Sequence, residues 1–352
     1  MADSSETLKG RLLVVAFEGW NDAGEAASGA VRTLKQLLDL YPIAEVESED
    51  YFDYQFNRPT VTSDDDGNRL LVWPSVTIYG PTSVLGQGRA GQVGQVEVEV
   101  EAEQTGQVEA PIMDASSPAG PAVGDGSSAN IAADAQLSMS AANNANIYLM
   151  LGTEPSRGWK SFTAEILATV QETNVSAIVM LGAMLADVPH TRPISVFVSS
   201  ENEQMRSRLG VERSSYEGPV GILSVLGEAA EKAGIPTLSI WASVPHYVHN
   251  APSPKATLAL IDKLEEIIDV VIPRGDLVDD AATWESGIDA LASEDEDMSN
   301  YIEQLEQARD TVDSPEASGE AIAQEFEKYL RRGEEKPDSG GSAGDEPWRP
   351  KE

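Results

Sequence analysis

Residues 11–17 (RLLVVAF) form a short apolar, β-branched run with no polar residue on either face after Arg11. A strand of that kind is covered on both sides, which points to the interior of a parallel sheet. The run passes through a polar loop, EGWNDAG, into a stretch reaching about Leu40. There Ala26, Ala27, Ala30, Val31, Leu34, Leu37 and Leu38 recur at three- and four-residue spacing, as on one face of a helix. Asp22 followed by Glu25 resembles a capping box at the start of that helix. The strand–loop–helix unit recurs. Residues 147–152 (IYLMLG) read as a strand, EPSRGWKSF as a loop and 163–172 as a helix. Residues 177–183 (AIVMLGA) form a strand that ends in the loop MLADVPHTRP, and SVFVSS forms another from Ser195. A helix over about 221–233 closes at Gly234, and Pro236 leads into the strand TLSIWAS. Last come the loop VPHYVHNAPSP and a helix opened by Ser253 and Pro254. Strands alternating with helices at this spacing predict an α/β fold, a mainly parallel sheet flanked by helices. Residues 69–79, broken by Pro74, read as a hairpin or edge strands.

Two segments fall outside this α/β core, which spans 10–272. Residues 85–145 are rich in Gly, Ala, Ser, Gln and Asn and read as a low-complexity insertion. Residues 276–332 carry the periodicity of two or three amphipathic helices, a small C-terminal appendage, and 333–352 read as a disordered tail. The formal net charge is −35, and about −15 of it lies between Pro273 and Glu352. A surface of that sign excludes nucleic acid and anionic membrane as partners. No stretch approaches the roughly 20 apolar residues of a membrane span, and MADSSETLKG has no signal-peptide pattern. Together with the absence of cysteine, this leads to the expectation of a soluble, cytoplasmic protein.

All three histidines lie in loops that follow strands, and Val-Pro-His occurs twice, at 188–190 and 244–246. Loops at the carboxyl ends of parallel strands converge on one edge, where such folds bind ligands. The candidates there are Glu18, Trp20, Asn21 and Asp22 in the first loop, then Arg157 and Lys160 beside Trp159. The later loops add Asp187, His190 and Arg192, and His246, His249 and Asn250. A crevice so lined holds an anion with its cations and moves a proton through a histidine near neutral pH. Each residue also has a plain structural use. Asp22 caps a helix, the prolines end strands, the histidines bond loop backbone, and Arg157 and Lys160 are solvated. The loops serve equally well as an oligomer interface. The chain has no GxGxxG after a strand, no GxxxxGK[ST], no GxSxG and no zinc signature, so no reaction, cofactor or metal is identified.

The phrases AFEGWNDAGEAASGA, YFDYQFNRPTV, LGTEPSRGWKSF, LGAMLADVPHTRP, YEGPVGI and WASVPHYVHNAPSP occur in this order. Together they resemble proteasome-assembly-chaperone-2-like (PAC2) proteins of actinobacterial type, over about 10–270 without the insertion. The resemblance implies a nucleoside-phosphorylase-like core, a small helical extension and a homo-oligomer with a proteasome-related protein partner. It implies a non-enzymatic assembly or interaction factor. A protein or enzyme that binds a phosphorylated or nucleoside-like small molecule is the alternative. Relatives that act on the proteasome dock through a hydrophobic–Tyr–any-residue tail, whereas this chain ends Trp348-Arg349-Pro350-Lys351-Glu352.

Overall fold

A computed structural model describes Leu8 and residues 10–38, 40–47, 49–64, 67–81, 146–268 and 271–313. The expectations for 85–145, for the appendage beyond 313 and for the 333–352 tail lie outside these residues. The chain divides into two compact units, Met1–Ala290 and Leu291–Glu352.

The first unit is built on a seven-stranded sheet of order β2-β5-β6-β1-β7-β9-β8. Its centre is β6 (Ile147–Thr153), β1 (Leu12–Glu18), β7 (Ala177–Ala186) and β9 (Thr237–Pro245), all parallel. Antiparallel strands flank it: β5 (Val76–Pro81) and β2 (Leu40–Val46) on one side, β8 (Val196–Ser199) on the other. The helices of this unit are α1 (Ala26–Leu37), α2 (Trp159–Glu172), α3 (Glu203–Leu209), α4 (Ile222–Lys232), α5 (Pro254–Ile268) and α6 (Leu277–Ser293), the last running across the unit boundary. Helix α7 (Glu296–Asp313) belongs to the second unit.

The two-sided apolarity of β1 follows from this layering. Leu12, Val14 and Ala16 pack in one apolar cluster with α1 and α5, while Leu13, Val15 and Phe17 pack in another with α2 and α4. Successive side chains of a strand point to opposite faces, so each central strand feeds both cores. On the second face Phe17 meets Phe162 edge-on at 6.0 Å, and Phe162 meets Tyr51 at 5.4 Å.

The structure redraws three stretches. The helix expected to reach Leu40 ends at Leu37, and residues 40–46 become β2, hydrogen-bonded to β5. Leu38 and Leu40 extend the helical spacing by coincidence, and Pro42 with strand pairing ends it. Pro74 does break 69–79, but its halves join different sheets. Arg69–Val72 (β4) pairs with Thr60–Ser63 (β3) in a separate hairpin, whereas β5 sits inside the main sheet between β2 and β6. Helix α2 starts at Trp159, so Lys160 stands on a helix rather than in a loop.

The start of α1 also departs from a capping box. A 3-10 turn, Ala23–Glu25, intervenes, and the capping position is Glu25 in a left-handed conformation. Asp22 does the capping from farther back: its Oδ1 accepts from the backbone N–H of Ala27 (2.8 Å) and Ser28 (3.0 Å). The Glu25 carboxylate lies instead 3.4 Å from Arg32 Nη1. Burial pushes the Asp22 carboxyl above its usual range, more than its bonds from Ser28 and Ala27 and the Arg32 charge pull it down. A raised folded-state value means that Asp22 favours folding most at pH below the ordinary aspartate value. That contribution is lost as pH rises through the raised value. Asp22→Ala is expected to cost about 1–2 kcal/mol of stability through the lost cap. Asp22→Asn should keep the acceptor and flatten this segment of the pH–stability curve, read by urea unfolding between pH 3 and 7.

Candidate functional site

The loops that follow β1, β6, β7 and β9 emerge at the carboxyl edge of the parallel strands. The expected single crevice resolves there into three separate constellations.

The first is centred on Glu154, just past the end of β6. Its Oε1 accepts from Ile222 N–H at 2.8 Å and from Asn21 Nδ2 at 3.2 Å, and its Oε2 lies 3.3 Å from Trp20 N. Ile222 is the first residue of α4, so the carboxylate sits at the positive end of that helix. Asn21 is buried, its carbonyl accepts from Ala183 N–H at 2.8 Å, and its amide lies against Gly221. A Cβ on Gly221 would come within 2.3 Å of Asn21 Nδ2. Glu18 is bound by the guanidinium of Arg32. Asn21, Asp22 and Glu18 are thus consumed in holding the loop, and Trp20 is left 74% exposed.

The second constellation fastens residues 49–57. Arg157 donates from Nη2 to the carbonyls of Glu49 and Phe52, and its backbone N–H donates to Tyr51 O at 3.1 Å. Ser156 Oγ donates to Asn57 Oδ1 at 2.7 Å. Lys160 is exposed, and with Lys232 it holds the exposed Glu228 carboxyl below its usual range, chiefly through the Lys232 hydrogen bond.

The third surrounds His190, which is 1% exposed. Tyr247 Oη accepts the His190 backbone N–H at 2.7 Å and lies 2.9 Å from Nδ1; Asp289 Oδ1 lies 3.0 Å from Nε2. Both ring nitrogens of His190 are therefore engaged, Nδ1 by the Tyr247 hydroxyl and Nε2 by the Asp289 carboxylate. Trp284 stands edge-on to the imidazole at 6.4 Å. Lys255 donates to the His190 carbonyl at 2.5 Å and pairs with Glu285. His246 Nδ1 lies within ion-pair distance of Asp187 Oδ1, at 3.2 Å. His249 Nδ1 is 2.8 Å from the His246 carbonyl, Asn250 is exposed, and Arg192 Nη1 is 3.4 Å from Thr191 Oγ1.

The loops therefore gather as the topology demands, but their polar groups face one another. A buried His190 with both ring nitrogens engaged is not placed to exchange protons with a substrate. Among the described residues no group of three or more His, Cys, Asp or Glu is arranged to hold a metal ion. No helix there is long and apolar enough to cross a membrane. Sequence reasoning missed Glu154, Arg32, Tyr247, Lys255, Trp284, Glu285 and Asp289. Glu154 had a signal, a carboxylate directly after a buried strand as Glu18 is; the residues of α6 had none.

A different kind of surface is exposed elsewhere. The β3–β4 hairpin shows Val61, Leu70, Leu71, Val72 and Trp73 to solvent, with Trp73 against Tyr54 at 4.8 Å between ring centroids. Phe56 nearby in sequence is 84% exposed.

Known proteins bear on these features. The PAC2 family model matches residues 16–292. A PAC2 family protein from Streptomyces avermitilis is 36% identical, with a TM-score of 0.60 over 83% of this chain and 99% of its own. A Mycobacterium tuberculosis protein described as a proteasome-assembly chaperone homologue is 34% identical, with a TM-score of 0.59 and the same coverage. An archaeal proteasome activator from Pyrococcus furiosus, at 12% identity and a TM-score of 0.51, shares the fold. No curated protein matches the chain. The matched span runs from β1 into α6 and takes in all three loop constellations; on that ground the chain belongs to the PAC2 family.

Proposed function

We propose that the chain works by binding protein, as a homo-oligomeric, cytoplasmic assembly factor whose partner is proteasome-related, with no cofactor. The observation that carries this reading is the 34% identity, across 83% of the chain, to the Mycobacterium tuberculosis assembly-chaperone homologue. Two features of the molecule support it. The strand-end polar groups are largely spent on internal contacts, which disfavours catalysis there. The hairpin β3–β4 is exposed throughout and presents Val61, Leu70, Leu71 and Val72 to solvent, and an isolated two-stranded ribbon is marginal in water unless something packs on it. A second copy gives a self-complementary cover for that surface.

The test is reconstitution. Purified chain, added to Mycobacterium tuberculosis proteasome α and β subunits, should speed the appearance of half-proteasomes in native mass spectrometry. Leu71→Glu with Val72→Glu should lower the solution mass of the chain to that of a monomer. Unchanged assembly kinetics at stoichiometric chain would sink the partner, and a native protein that is already monomeric would sink the oligomer.

A further inference from the structure

The His190 constellation has a feature that folding alone does not require. Helix α6 reaches the carboxyl edge with two carboxylates one helical turn apart, Glu285 and Asp289, and each lands on a donor of the core. Those donors, Lys255 Nζ and His190 Nε2, are well shielded from solvent: the His190 side chain is 1% exposed and that of Lys255 17%. Tyr247 Oη contacts both the backbone N–H and Nδ1 of His190, which leaves Nε2 facing the Asp289 carboxylate. Lys255 is held in place by the His190 carbonyl. Donors preorganised in this way are how proteins bind oxyanions.

Helix α6 covers these donors unevenly. Ala281 and Ile288 are buried, and Leu277 at the start of the helix packs against an apolar cluster of the core. Asp289 itself is 58% exposed, and ion pairs with so exposed a partner contribute little. Lys255 also borders an open groove of about 460 Å³ whose wall includes Ile194, Leu258, Lys263 and the carboxylates of Asp262 and Glu266.

We propose that Lys255 and His190, with Tyr247 as positioning residue, form a binding site for a small carboxylate or phosphate, and that α6 is its built-in competitor. The Glu285 and Asp289 carboxylates stand where the ligand's oxygens bind. Tethered groups compete at an effective concentration of roughly millimolar. The net charge of −35 also works against free anions, so the site is closed in the native chain until the helix is displaced. This site is independent of the assembly reading, since neither the hairpin nor a proteasome subunit enters it.

The chain has three histidines, so imidazole resonances in ¹H–¹³C NMR report on His190 directly. Succinate and inorganic phosphate are titrated into the full native chain and into the full-length double variant Glu285→Gln/Asp289→Asn. The expected result is a saturable shift of the His190 resonance in the variant, at concentrations about tenfold or more below any response of the native chain. Adding Lys255→Met should abolish it, and whichever anion saturates first identifies the ligand class. Amide hydrogen exchange read in parallel should show α6 opening faster in the variant while β1, β7 and β9 keep their protection. Two results overturn the proposal. One is a released α6 with no saturable shift from either anion, which makes the contact mere helix docking. The other is an α6 in the variant as protected as the strands, which means the carboxylates do not hold it.

Discussion

Gly152→Ala should destabilise the protein by about 3–5 kcal/mol, a large share of the roughly 5–15 kcal/mol that holds a domain folded. Gly152 lies in β6 where the strand pairs with Val76 of β5. A Cβ there would stand 2.1 Å from the Ser75 carbonyl oxygen and 2.5 Å from Val76 Cα, which are backbone atoms. No rotamer change relieves such a contact. The strand cannot retreat either, because β1 is hydrogen-bonded along its other side. The substitution must pull β5 away from β6, and β2 with it. Urea unfolding monitored by circular dichroism gives the measurement, with Gly287→Ala as control. Gly287 lies in α6, where an added methyl meets no neighbour within 4 Å, so alanine there should add about 0.5–1 kcal/mol. A Gly152→Ala protein as stable as the native chain would show that β5 does not pair as described.

Glu154→Ala should rank next, at about 2–4 kcal/mol, because it strands the Ile222 N–H and the Asn21 amide without acceptors. It also removes the negative charge from the start of α4. Glu154→Gln keeps an oxygen at the same place and should lose about 1 kcal/mol. The loss should be local as well as global: amide exchange should accelerate in residues 19–25 and in the first turn of α4 before it does in α1. Equal effects from Ala and Gln would mean that the side chain acts by packing rather than as an acceptor.

The fold was largely legible because its signals are local. LLVVAF and AIVMLGA are buried on both faces, and continuous apolarity records that without any partner being known. The helices 222–232 and 254–268 announced their ends through Gly234 and through Ser253-Pro254. The strand β2 was not legible, since LYPIAEV is partly exposed and its identity comes from pairing with β5 across the sheet. Pairing also sends the two halves of 69–79 to different sheets.

The candidate site divides along the same line. The sequence alone put the histidines, Asn21, Asp22 and Arg157 in loops at the ends of parallel strands, because loop position follows from strand order along the chain. It also pointed to the PAC2 family through motifs that keep their order. What each polar group faces was decided by the tertiary structure. Asp22 could have lined a crevice but caps α1 across a 3-10 turn, and Arg157 could have held an anion but holds the carbonyls of Glu49 and Phe52. His190 meets Asp289 across 99 residues, with no periodicity linking the two. Hydrophobic pattern is written along the chain because burial is a property of each residue; hydrogen-bond partners are chosen in space, after the sheet has brought distant loops to one edge.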